Sequence, residues 1–211
     1  MGQNTVEILG HYGDDLTIAC SAWTSTSRNL TEEKKARVES LINMLWTNGH
    51  ETPFEKSAVH FLVNTDIATH IQIIKHRIGV SVNAESARYK ELKEDKYYLP
   101  EDWPIEWAAK LEKYTMMGND LYHEAINELE PILGRKRAKE SARFFKTYNS
   151  QIQADIMFNM RSFANFQKLR NSPHSQIEIK DIAQQMWDLV ESIEGQPFKF
   201  TLNTIRRSMD V

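Results

Sequence analysis

Among 211 residues there is one cysteine, Cys20. The chain therefore closes no internal disulfide and builds no multi-cysteine zinc centre, and a reducing, cytoplasmic setting suits it. Glycine is sparse and scattered, eight residues in all. None gathers into a Walker loop or a dinucleotide fingerprint, so any phosphate must be gripped by side chains. The seven histidines include no HExxH pair, which argues against a zinc hydrolase, and no metal is expected. Serine never sits in a GxSxG setting, and Cys20, in ACSAWTSTS, has no histidine beside it, so nucleophilic catalysis is poorly supported. No run approaches the roughly 18 apolar residues of a membrane span, and MGQNTVEILGHYGDD has no apolar signal core. A formal net charge of −3 lacks the basic excess of a nucleic-acid binder.

What is present is an ordinary soluble composition, 41% hydrophobic and 26% charged. Val6 to Leu9 reads as a short strand ending at Gly10, and Leu16 to Cys20 as a strand or a helix start. Thr31 caps a helix whose apolar positions Val38, Leu41, Ile42, Leu45 and Trp46 recur until Gly49. Ser57 to Asn64 alternates as a strand, with Val59, Phe61 and Val63 on one face. Asp66 then caps a helix bearing an Ile67, Ile71 and Ile74 stripe. Lys90 to Pro104 is an exposed loop. A long helix follows from Ile105 to about Asn127, with Trp107, Leu111, Tyr114 and Met117 inward, weakened by Gly118 and ended by Pro131 and Gly134. Lys136 to Phe145 is helical, Ile152 to Phe158 alternates as a strand, Met160 to Leu169 is helical, and a last helix spans Gln176 to Glu194. No repeat or linker interrupts this order. The expectation is one α/β (α+β) domain over residues 1–211, helix-rich around a small mixed or antiparallel sheet.

One stretch, KHRIGVSVNAESARY from Lys75 to Tyr89, concentrates polar chemistry. Lys75, His76 and Arg77 at a helix end have a plain reading as caps of free carbonyls. The hydroxyl, amide, carboxylate and guanidinium groups of Ser81, Asn83, Glu85, Ser86 and Arg88 add the mixture that reads phosphate, sugar and base together. His60 on a strand and His70 on a helix read as structural. Chemistry carried by a bound organic cofactor is the class left open.

These residues resemble the flavin-dependent thymidylate synthases. That family carries Arg-His-Arg, seven residues and Ser, continuing into Arg-Tyr, and KHRIGVSVNAESARY is similar to it. HETPFEK from His50 to Lys56 resembles the family's His-Glu-Thr/Ser-Pro-Phe-Glu-His, and NMRSFANFQKLR from Asn159 to Arg170 resembles its third block, followed by QIEI at Gln176. GDDL at Gly13 and YYLP at Tyr97 also look like family counterparts, and the three blocks keep their order across nearly the whole chain. There are departures. Lys75 replaces the first signature arginine, eight residues rather than seven separate Arg77 from Ser86, Ala87 stands where glycine is common, and Lys146-Thr147 stands where Leu-Pro is frequent. Either Ala84 or Glu85 fills the family's glutamate position; Glu85 is taken here.

The resemblance implies a homotetramer with FAD sites at subunit interfaces, converting dUMP to dTMP with methylenetetrahydrofolate as carbon donor and NADPH as reductant. It implies Arg170 as the catalytic activator of the uracil. It assigns Thr52, Lys75, His76, Arg77, Asn159, Arg161 and Asn165 to FAD. It assigns Gln72, Lys75, Glu85, Ser86, Ala87, Arg88, Arg143 and Arg170 to dUMP. Arg161 and Arg170 lie about half a turn apart around one straight helix, so either the helix ends before Arg170 or its two faces serve different pockets. A related flavin enzyme with another pyrimidine-nucleotide product, and a non-catalytic nucleotide-binding homologue, stand as alternatives.

Overall fold

The computed structural model describes residues 2–209, so Met1, Asp210 and Val211, at the ends of the expected 1–211 domain, lie outside the described residues. In chain order the elements are β1 (Thr5–Tyr12), α1 (Asp15–Trp23), α2 (Glu32–Ala36), α3 (Val38–Thr47), a 3-10 turn (Thr52–Lys56), β2 (Ala58–Asp66), α4 (Ile67–Ile73) and β3 (Val80–Ala84). They continue as α5 (Ile105–Leu133), α6 (Arg135–Ala142), a second 3-10 turn (Arg143–Phe145), β4 (Gln151–Asn159), α7 (Met160–Arg170), α8 (Ile177–Glu191) and α9 (Lys199–Met209). The strands form one sheet in the order β1-β2-β4-β3. Its pairing is antiparallel: Asn159 N–H donates to the Gly79 carbonyl at 2.9 Å, and Glu85 N–H to that of Gln153 at 2.8 Å. The helix-rich α+β class is as expected.

Contacts cluster into two compact units. One holds residues 2–5, 63–75 and 83–154, and is called here the α5 unit; the other holds 6–62, 76–82 and 155–209, the α7 unit.

In the α7 unit the alternation read in β2 and β4 places Val59, Phe61, Ile156 and Phe158 in the core. Phe163 and Phe166 of α7 pack there too, with Phe163 6.1 Å from Phe61 and stacked on Trp187 at 6.4 Å. The segment Leu16 to Cys20, open between strand and helix, is helical: Asp14 caps α1 by accepting from Thr17 N–H at 2.6 Å. The buried Asp15 carboxylate reaches across to the first turn of α9, accepting from Phe200 N–H at 2.7 Å and Thr201 N–H at 3.1 Å. Burial nevertheless holds its pKa above the usual carboxylate value. Helix α9 was not anticipated, and the last long helix expected to reach Glu194 ends at Glu191.

In the α5 unit Asp66 caps α4 as read, accepting from Thr69 N–H at 2.8 Å. The buried side of α4 is Thr69, His70 and Ile73 rather than the Ile67, Ile71 and Ile74 stripe. Helix α5 likewise turns a different face inward, namely Thr115, Gly118, Asn119, Tyr122 and Ile126. Trp107, Tyr114 and Met117 are all more than half exposed. Gly118 is an approach point rather than a weakness, because a Cβ there would lie 2.6 Å from the Phe145 carbonyl oxygen. Pro131 sits inside α5, and Gly134, at φ 76°, ends it. Two further readings are corrected: the helix capped by Thr31 breaks at Arg37 into α2 and α3, and β3 forms within the polar signature. Among the described residues no helix is long and apolar enough to cross a membrane, and no cluster of His, Cys, Asp or Glu suits a metal.

Candidate functional site

The candidate residues sort between the units. In the α7 unit, α7 starts where Asn159 caps it, its Oδ1 accepting from Ser162 N–H at 2.8 Å. Gly79, at φ 65°, lies against this cap, and a Cβ there would meet Asn159 Nδ2 at 2.2 Å and Ser162 Oγ at 2.4 Å. The signature's Ile78–Gly79 turn is thereby fastened to the start of the third block.

The helix runs unbroken to Arg170, so it does not end before that residue, and its two faces carry different partners. On one, Arg161 donates through Nε to Glu51 and through Nη1 to Glu55, each at 2.7 Å. Both acids belong to the HETPFEK block, which sequence reading used only for Thr52. Asn165, one turn on, is exposed, as are Thr52 and Arg77. On the other face, Arg170 Nε donates to His76 Nε2 at 3.0 Å. Accepting there, His76 is neutral with its proton on Nδ1. Burial, and then the charge of Arg170, lower its pKa below the ordinary histidine value. The imidazole also meets the edge of Phe166, ring centroids 5.0 Å apart. The terminal nitrogens of Arg170 have no protein acceptor among the described residues, leaving a fixed guanidinium fork.

The same unit contains a cavity of about 780 Å³, within the range of ligand sites. Asn159, Gly79 and Glu55 line it, joined by Tyr12, Trp23, Arg28, Lys56 and Ser57. Ser57 is 1% exposed, and its hydroxyl has no partner among the described residues. An orphaned hydroxyl, two cations and two aromatic rings fit the mixed chemistry of a flavin dinucleotide. Sequence reading gave none of these five side chains a ligand role; Trp23 lies within ACSAWTSTS, Lys56 ends HETPFEK and Ser57 follows it, but no spacing marks them.

In the α5 unit Gln72 lies on α4 and Lys75 is exposed just after it. Glu85 continues the edge of β3: its own N–H pairs with Gln153, and its Oε2 accepts from Gln153 N–H at 3.0 Å. Its Oε1 takes Lys90 Nζ at 2.7 Å, so this carboxylate is engaged within the protein. Ser86, Ala87 and Arg88 form the turn that follows; Ser86 Oγ accepts from Arg88 N–H at 3.3 Å. Arg88 Nε donates to Glu140 of α6 at 3.0 Å, a partner sequence reading missed. Arg143 is exposed at the head of the second 3-10 turn.

Comparison with known proteins agrees with the motifs. The family model described as "Thymidylate synthase complementing protein" matches residues 7–194. The flavin-dependent thymidylate synthase of Pseudothermotoga lettingae is 32% identical over 193 residues, covering 89% of this chain and 85% of that protein. The one from Thermosipho africanus is 33% identical over 190 residues, covering 84% and 82%. Among solved structures, the UMP/dUMP methylase PolB from Streptomyces cacaoi, bound with 5-Br dUMP, superposes with a TM-score of 0.80. It is 23% identical and the match covers 98% of this chain and 96% of that one, which shows a shared fold.

Proposed function

The chain belongs to the flavin-dependent thymidylate synthase family, and from that premise we propose that it methylates dUMP to dTMP, with methylenetetrahydrofolate as carbon donor and NADPH as reductant. FAD, when bound, supplies the hydride that completes the methyl group. The observation that carries this reading is the Arg170 fork held through Nε by a neutral His76. Removing or shifting charge at the uracil ring develops negative charge on its oxygens, and a preorganised guanidinium stabilises that charge without first reorganising. A neutral imidazole supports the fork without adding a competing charge.

Arg88 and Arg143 would hold the dianionic phosphate, with Gln72, Lys75, Glu85, Ser86 and Ala87 orienting the rest of the nucleotide. Thr52, Lys75, His76, Arg77, Asn159, Arg161 and Asn165 would hold FAD. Arg28 and Lys56 of the cavity would add charge for its phosphates, and Ser57 an available hydroxyl. We take residues 1–211 as one domain assembling as a homotetramer in the cytoplasm.

The test is direct. Purified protein should carry flavin absorbance, or gain it with added FAD, and should oxidise NADPH only when dUMP and the folate are present. Arg170→Ala should keep its fold and lower kcat by about 10²–10³, the usual loss for one charge-stabilising donor. A colourless protein that takes up no FAD and shows no dUMP-dependent turnover would reject the reading.

A further inference from the structure

Lys146 follows the 3-10 turn that carries Arg143, and its N–H closes that turn on the Arg143 carbonyl at 3.1 Å. Its side chain is 4% exposed, a costly place for a charge unless fully paired. It is fully paired. Nζ donates to Asp95 Oδ1 at 2.5 Å and to Asn119 Oδ1 at 2.8 Å, and lies over the Tyr122 ring, 4.4 Å from its centroid. An ammonium has three donors, and these three neighbours occupy it, so Lys146 does not itself reach a nucleotide.

Asp95 belongs to the loop that follows the Ser86–Arg88 turn. It sits at φ 48°, in the left-handed region that Asp enters more readily than most residues. Its carboxylate is held on both sides, by Lys146 on one oxygen and by His123 Nε2 at 2.9 Å from the other. Burial alone would raise the Asp95 pKa, but the hydrogen bonds from Lys146 and His123 outweigh it and hold the carboxyl below its ordinary value. The Tyr122 hydroxyl adds a second tie, accepting from Leu92 N–H at 3.0 Å. A third joins Glu91 to Arg135 at 2.9 Å.

We propose that Lys146 is a positioning residue for the nucleotide, clamping the Arg143 turn to the loop behind Arg88 so that the two arginines keep one spacing. This rests on the dUMP reading above. A doubly charged phosphate held between two guanidinium groups is sensitive to their separation, which surface side chains alone would leave loose.

Lys146→Met tests it. The KM for dUMP should rise about tenfold with kcat within about threefold of wild type, as expected when only placement is lost. Flavin content should not change. Hydrogen exchange should quicken together in residues 90–96 and 143–146. Asp95→Asn, at a less buried position, should move both readouts the same way by less, and serves if the first variant does not fold. An unchanged KM in a folded variant overturns the positioning role. Wild-type protein that binds no dUMP overturns the functional reading instead; the clamp is then judged by exchange alone, and quickening in only one of the two segments, or in neither, overturns it.

Discussion

The cations of the two units are held in different ways. In the α7 unit Arg170 is placed by a helix whose Phe163 and Phe166 are fully buried, and its partner His76 lies against one of those rings. In the α5 unit Arg88 and Arg143 are exposed, on turns, and Arg88 is steadied by the partly covered carboxylate of Glu140 at the edge of α6. Packing fixes direction to within a rotamer, whereas an exposed ion pair contributes little and is screened by salt. A group that must meet developing charge gains from the first arrangement. A group that captures a mobile phosphate, the role proposed for Arg88 and Arg143, tolerates the second provided its backbone is pinned, the role proposed for Lys146.

Three changes break or sharpen that contrast. The largest is Phe166→Ala, which removes a fully buried ring and should cost about 3–5 kcal/mol of stability in denaturant unfolding. It should also free His76, so turnover in the folded fraction should fall while dUMP affinity holds; an equal loss of both would erase the distinction. The second is acid. Because the folded pKa of His76 lies below its unfolded value of about 6.5, its neutral form contributes fully above that pH. The contribution is lost as pH falls through the lower folded value. Unfolding free energy followed from pH 8 to 5 should show this loss, and His76→Gln should flatten it. The smallest is Glu140→Gln. It releases Arg88 from an exposed pair, so the thermal midpoint should stay put while dUMP binding tightens modestly and depends more steeply on salt.

Much of this arrangement was legible beforehand. Alternation at Val59, Phe61 and Val63 marks β2 because a strand with one buried face has a period of two. Thr31 and Asp66 mark helix starts because their side chains satisfy first-turn N–H groups. Strand β3, VSVNA, does alternate, but five residues inside a stretch read for its polar groups are a weak signal, and pairing along β4 at the sheet edge is what makes them a strand. The α5 face was misjudged because its period is helical either way round. What turns Thr115, Gly118 and Asn119 inward is the Phe145 carbonyl and Asn149, contacts no local pattern announces.

The sequence by itself determined the kinds of most elements and the family, though not β3, α9 or the break between α2 and α3, because caps, periods and ordered motifs act within a few residues. Only the tertiary structure decided which groups meet. His76 and Arg170, 94 residues apart, become one hydrogen-bonded pair. Arg161 is turned to Glu55 across 106 residues, and Lys146 to Asp95 across 51. Such partners are set by how helices and loops pack, and packing is a property of the assembled surfaces rather than of any one stretch.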